Sequence, residues 1–152
     1  MKSLYYTAVV TRAYRKHLDA LSGTAPADLA EYRDDLFKVS HREYCTGFFF
    51  GRGEIDRPTE SDYREHHVFL GTVGRETRPG VYALDIRNRI TAGSPVEYIG
   101  PDLLRARDEA FTLLDESGRP LDKADHGHTV FLKPGLPVRE GFILRRPRSG
   151  AD

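Results

Sequence analysis

The stretch VYALDIRNRITAGSPVEYIG, residues 81–100, decides the fold of this chain. Over 81–86 the side chains alternate: Tyr82, Leu84 and Ile86 share one face, and Val81, Ala83 and Asp85 share the other. This period of two is typical of a β-strand with one buried face. Ala92-Gly93 then forms a turn, PVEYIG is the next strand, and the following Gly-Pro step ends it.

The segments around this stretch repeat the same signal. Short apolar or alternating runs occur in EYCTGFFFG (43–51), HHVFLGTVGRE (66–76), EAFTLLDESGRPLDKA (109–124), HTVFLKPG (128–135) and GFILRRPR (141–148). Turns are expected at Pro79-Gly80 and at Ser117-Gly118. About seven short strands separated by Gly and Pro predict a small antiparallel β-barrel.

Two helices are predicted before the strands. Residues 3–21 carry a broad apolar stripe at helical spacing, with Ser3 as the N-cap and Gly23 where a C′ glycine belongs. The stripe contains Tyr6, Val9, Val10, Ala13, Tyr14, His17, Leu18 and Leu21. Residues 26–38 predict a second, weaker helix. The predicted fold class is therefore mainly β, a small antiparallel β-barrel preceded by two α-helices.

The charge balance limits the function classes. Lys+Arg and Asp+Glu both number 23, so the formal net charge is zero. Autonomous nucleic-acid binders are usually basic, because cationic side chains must contact phosphates. The only cysteine, Cys45, excludes an intrachain disulfide. No apolar run is long enough to span a bilayer, so we expect a cytoplasmic protein without membrane contact.

Catalytic and metal-binding motifs are weak in this sequence. Cys45 and His41 are a candidate nucleophile–base pair, but the aromatic neighbours of Cys45 disfavour a thiolate. His126 and His128 are weak metal candidates if they share a strand face, although no recognisable ligand spacing accompanies them. The acid pairs 34–35 and 108–109 are interpreted as solvated. We expect no catalytic residue, no metal and no cofactor in this chain.

Arginines supply the candidate binding site. Arg87, Asn88 and Arg89 end a predicted strand, and Arg145 and Arg146 lie near the C-terminus. Arginine binds phosphate through a planar, bidentate fork, and asparagine adds a polar contact. The sequence predicts a local nucleic-acid-binding surface with the first three residues as primary candidates and the other two as secondary ones. The alternative is a solvated rim that keeps the barrel soluble.

Four segments resemble a known family. MKSLYYTAVVTRAYRKHLDAL, KVSHREYCTGFFFG, IRNRITAGSPVEYIGPD and LPVREGFILRR are similar, in order and spacing, to the C-terminal region of the collagenase-like peptidases of family U32. The resemblance runs from Lys2 to about Arg146. It implies a C-terminal barrel similar to the second domain of translation elongation factors, at residues 41–148. Residues 1–40 resemble the end of an upstream catalytic domain, and 149–152 are a tail.

The resemblance also implies a function. Members of this family include RNA hydroxylases that act on tRNA or ribosomal RNA, and their iron–sulfur cluster needs several cysteines. We therefore expect a non-catalytic C-terminal accessory domain that helps bind RNA, with tRNA or rRNA and the upstream catalytic domain as partners. Two alternatives stay open: peptidase activity in the chain itself, and a docking module whose helix 3–21 self-associates.

Overall fold

The structure, a computed structural model, describes residues 3–24, 29–41, 44, 49–51, 67–101 and 106–148. The chain divides into two compact units, Met1–His66 and His67–Asp152. The domain boundary predicted from the sequence lies earlier, between residues 40 and 41. No helix in the described part of the chain is long and apolar enough to cross a membrane.

Two helices form the described part of the first unit: α1 (Leu4–Leu21) and α2 (Ala30–Leu36). The predicted ends of α1 are confirmed. The Ser3 hydroxyl accepts a hydrogen bond from the backbone N–H of Tyr6 at 3.1 Å, which satisfies one of the free donors of the first turn. Gly23 follows the helix with φ of 74°, a left-handed conformation that favours glycine.

The apolar stripe of α1 is divided between a buried and an exposed side. Val9 and Ala13 are buried as predicted, and Tyr5 is buried although the stripe did not include it. Tyr14, Leu18 and Leu21 are exposed by 66%, 58% and 85%. One side of this helix is therefore apolar and open.

The second helix is shorter than the predicted 26–38, and its buried residue is an acid. Asp35 was interpreted as solvated, and this is wrong. Its carboxylate lies 3.0 Å from Lys38 Nζ and 3.8 Å from the Arg12 guanidinium on α1. Two cations compensate the charge, which makes its burial tolerable.

The second unit is an antiparallel half-barrel. Its strands are β1 (His67–Arg78), β2 (Val81–Ile86), β3 (Ile90–Thr91), β4 (Val96–Ile99), β5 (Ala106–Asp108), β6 (Thr112–Leu114), β7 (Pro120–Leu121), β8 (Lys123–Ala124), β9 (Val130–Lys133) and β10 (Ile143–Pro147). Eight of them form a curled sheet in the order β5-β4-β10-β1-β2-β9-β6-β7, and β3 pairs with β8. The predicted fold class, mainly β after two helices, is confirmed.

The core lies on one face of this sheet. Leu84 and Ile86 of β2 are buried while Asp85 is exposed, as the alternation predicted. They pack with buried residues of the neighbouring strands, among them Leu70, Val73, Tyr98, Leu113, Leu132 and Leu144. The turns at Pro79-Gly80 and Ser117-Gly118 are also confirmed, with Gly80 and Gly118 at positive φ. More strands are present than the predicted seven because strands of two or three residues show no period.

The predicted strand at 43–51 is wrong at its end. Phe49 and Phe50 lie in a turn, and both are exposed. Residues 45–48, including Cys45, lie outside the described residues. A run of apolar residues alone does not distinguish a buried strand from an exposed aromatic turn.

A buried carboxylate joins three segments of the half-barrel. Asp108 was interpreted as solvated, but it is buried and accepts three hydrogen bonds. The donors are Tyr98 Oη at 3.0 Å, the Ala110 N–H at 2.9 Å and the Gly135 N–H at 2.7 Å. Burial is the main cause that raises the pKa of the Tyr98 hydroxyl above its ordinary value, and the adjacent Asp108 raises it further. The phenol therefore stays protonated and donates its hydrogen bond.

We expect Asp108→Ala to destabilise the protein by about 3–5 kcal/mol, because it leaves buried donors without an acceptor. Glu109→Gln is the matched control, since Glu109 is exposed and pairs only at the surface with Arg107. That control should change the free energy of unfolding by less than about 0.5 kcal/mol. Urea unfolding measures both, and equal effects would contradict the role of Asp108.

Candidate nucleic-acid interface

The segment Arg87–Arg89, called the arginine rim below, follows β2 and is fixed to β1. The backbone N–H groups of Arg87 and Asn88 both donate to the Leu70 carbonyl, at 2.8 and 3.2 Å. The Asn88 side-chain amide donates to the Phe69 carbonyl at 2.8 Å. Asn88 therefore positions the rim with one of the two hydrogens of its side-chain amide.

Gly71 allows β1 and β2 to approach each other closely. The register of β1 against β10 shifts between Phe69 and Gly71, and β1 pairs with β2 from Gly71 onward. A Cβ at Gly71 would lie 2.3 Å from the Asp85 carbonyl oxygen, a distance that atoms do not adopt. Gly71 is thus required for β2, and the rim after it, to lie where they do.

Each rim arginine forms an exposed ion pair. Arg87 Nη2 lies 3.1 Å from Asp85 Oδ2, and Arg89 Nε lies 2.7 Å from Asp125 Oδ1. The arginine side chains are 53% and 64% exposed. Exposed ion pairs contribute on the order of 0–1 kcal/mol, so a phosphate can displace either carboxylate at little cost.

The two secondary candidates have different environments. Arg145 is fully buried, and its Nε donates to Glu97 Oε2 at 2.9 Å. Its guanidinium therefore pairs with a partly buried carboxylate and does not face a ligand. Arg146 is partly exposed, and its Nε is buried without a hydrogen-bond partner among the described residues.

Arg146 lines a cleft that the sequence analysis missed. The cleft has a volume of about 230 Å³ and is lined by Ser94, Pro95, Glu97, Arg107, Arg146 and Pro147. It forms where β10 ends, because β4 begins beside that end and β5 pairs with β4. Arg107 lies opposite Glu97 on the neighbouring strand β5, whereas Arg146 comes from β10, far along the chain, so no local pattern brings these residues together.

The arginine rim and this cleft lie at the same end of the sheet. Val68 pairs with Arg146, and the next residue of β1, Phe69, accepts the hydrogen bond from Asn88. Since β1 lies between β2 and β10, the ends of those two strands are separated by about 10 Å, two strand spacings. Folding thus brings Arg87, Arg89 and Arg146 to one end of the sheet.

The histidine candidates show no shared strand face, and they lie beside Asp125, the carboxylate that pairs with Arg89 of the arginine rim. His126 and His128 are exposed in a turn rather than on a strand, so the geometry assumed for a metal pair is absent there. Among the described residues, no group of three or more His, Cys, Asp or Glu side chains is placed to hold a metal ion. His41 is buried, with its Nδ1 at 2.7 Å from the Val39 carbonyl. Its proposed partner, Cys45, lies outside the described residues.

The Arg89–Asp125 pair gives a pH test of the rim. The hydrogen bond from Arg89 lowers the pKa of the Asp125 carboxyl below its ordinary value. The pair therefore contributes to stability at pH values above the unfolded-state pKa of Asp125, about 3.9, and this contribution is lost as the pH falls through the pKa of the folded state. In Arg89→Gln we expect the pKa of Asp125 to rise in a carboxyl-carbon NMR titration. Arg87→Gln is the control and should leave it unchanged; the same pKa in all three proteins would disprove the pair.

Comparisons with known proteins give consistent matches over both units. The family model of the peptidase family U32 C-terminal domain matches residues 65–145, and the model of peptidase family U32 matches residues 1–58. The tRNA hydroxylation protein P1 of Bacillus subtilis (strain 168) is 31% identical over 135 residues, which cover 83% of this chain. The chain spans 31% of the length of that relative.

Two solved structures are also similar. Both are crystal structures of the C-terminal domain of a U32 peptidase from Geobacillus thermoleovorans. They are 27% and 24% identical, with TM-scores of 0.44 and 0.43. They cover 52% and 53% of this chain, and this chain covers 99% and 92% of theirs.

Proposed function

Because this chain belongs to peptidase family U32, we propose that it is an accessory part of a tRNA-hydroxylating protein and helps to bind the RNA. One observation carries the proposal: the relative that is 31% identical over 135 residues is a tRNA hydroxylation protein. The role that we assign to this chain is substrate positioning.

The arginine rim supports this role physically. Arg87 and Arg89 are exposed, the backbone N–H groups of Arg87 and Asn88 are held by β1, and the present partners of the two arginines are surface carboxylates. Phosphate binding replaces those weak pairs with charge-assisted, bidentate hydrogen bonds. The balanced charge of the whole chain limits its long-range attraction for RNA, so binding should be weak and strongly dependent on salt.

We expect Arg87→Ala/Arg89→Ala to weaken tRNA binding and to reduce the salt dependence. Each lost phosphate contact lowers the slope of log affinity against log salt by roughly 0.7–0.9. Arg75→Ala/Arg119→Ala is the matched control, because it removes two exposed arginines near the opposite, hairpin end of β2. Fluorescence anisotropy with labelled tRNA measures both. Wild-type protein that does not bind tRNA at low salt would disprove the proposal.

Neutralising the rim carboxylates should have the opposite effect. In Asp85→Asn/Asp125→Asn, Arg87 and Arg89 lose their competing partners, so we expect tighter tRNA binding in the same anisotropy assay. Asp115→Asn/Glu116→Gln removes the same charge at the β6–β7 hairpin and serves as the control. An increase of equal size in both would indicate a general charge effect and no special role for the rim.

A second candidate function is suggested by the exposed apolar side of α1. We propose that Tyr14, Leu18 and Leu21 pack against the remaining part of a longer U32 protein. This chain spans 31% of the length of the curated relative, so most of that relative lies outside the matched region. Soluble proteins seldom leave a contiguous apolar patch of this kind without a partner.

The isolated chain should then associate with itself through this face. We expect a concentration-dependent dimer in sedimentation equilibrium and its loss in Leu18→Lys/Leu21→Lys, because two charges cannot be buried in the contact. Thr77→Lys/Thr129→Lys adds the same charges at exposed positions of the second unit and should leave the dimer intact. A wild-type monomer at all concentrations would argue against this candidate.

A further inference from the structure

The cleft at the end of β10, lined by Ser94, Arg107 and Arg146 among others, contains an incompletely compensated positive charge. The Nε of Arg146 is buried and has no hydrogen-bond partner among the described residues. A guanidinium that is partly removed from water without an acceptor is costly. An anionic ligand in the cleft would relieve that cost.

The other charged groups of the cleft leave the balance positive. Among the described residues of the lining, Glu97 is the one carboxylate. It already accepts a hydrogen bond from Arg145 Nε at 2.9 Å and lies 3.7 Å from His67 Nε2. Arg107 pairs at 2.9 Å with Glu109, but both side chains are more than 60% exposed. That pair is weak and open to exchange. The Ser94 hydroxyl adds a neutral donor.

We propose that this cleft binds one phosphodiester group of the RNA, with Arg146 and Arg107 as its cationic partners. Its volume of about 230 Å³ is below the roughly 300–1,000 Å³ of typical small-molecule sites, and therefore suits a single group rather than a cofactor. The end of β10, which borders the cleft, lies about 10 Å from the end of β2, after which the arginine rim follows, so one RNA strand can contact both. This inference rests on the proposed function.

The test uses the full chain and two probes, inorganic phosphate and tRNA. Amide NMR spectra are recorded with sodium phosphate and with sodium chloride at equal ionic strength. We expect phosphate to shift the amides of Ser94, Arg107 and Arg146, and Arg146→Gln to remove those shifts. The same variant should bind tRNA roughly tenfold more weakly, the size expected for one charge-assisted contact.

Arg119→Gln is the matched control, because it removes an exposed arginine from the β6–β7 hairpin. If Arg146→Gln loses its dispersed spectrum, Arg107→Gln carries the same test, since that side chain is 62% exposed. One outcome would overturn the proposed phosphate site in the cleft and leave the proposed function standing. In that outcome the wild-type protein binds tRNA, the Arg146 and Arg119 variants bind it with equal affinity, and phosphate shifts no amide signals. Phosphate shifts without any tRNA binding would overturn the proposed function and the assignment of the cleft to RNA.

Discussion

The pairing of β1 with β2 at Gly71 is the constraint on which the candidate interface depends. The strands approach so closely that a single Cβ would collide with the Asp85 carbonyl oxygen. This approach lets Leu70 accept two backbone hydrogen bonds from the segment after β2. The direction of the chain after β2 is therefore determined by main-chain contacts, while the arginine side chains stay available to solvent. Rigid backbone and exposed cationic side chains together make a preorganised surface for a polyanion.

Charge compensation explains how a neutral chain carries such a surface. The cations of the second unit occupy three kinds of environment. Arg145 is buried against Glu97, the rim arginines pair with surface carboxylates, and the buried Nε of Arg146 has no hydrogen-bond partner among the described residues. The interaction of a cation with phosphate depends on this local environment more than on the total charge of the chain. The reason is that dissolved ions screen exposed charges that are farther apart than about a Debye length. The formal net charge of the sequence does not distinguish the three environments.

Local features of the fold could be predicted from the sequence, whereas charge compensation between residues far apart in the sequence could not. Ser3, Gly23 and the alternation over 81–86 report backbone preferences that act within a few residues, and the structure has them as predicted. Asp35 and Asp108 were predicted to be exposed because the sequence does not show which donors folding brings to them. Arg145 was a secondary candidate for nucleic-acid binding, but it is buried against Glu97, which lies 48 positions earlier in the sequence. The cleft was missed for the same reason.

The pair of the buried Arg145 and the partly buried Glu97 has a consequence for evolution in this family. Loss of Glu97 alone removes a carboxylate partner from a guanidinium that is fully buried, and breaking such a pair costs up to about 3–5 kcal/mol. Most domains are stable by only about 5–15 kcal/mol, so few lineages could tolerate that intermediate. An apolar pair of similar volume, in contrast, can be neutral. The two positions should therefore be inherited as a unit, either both ionic or both apolar, and aligned descendants should show them covarying.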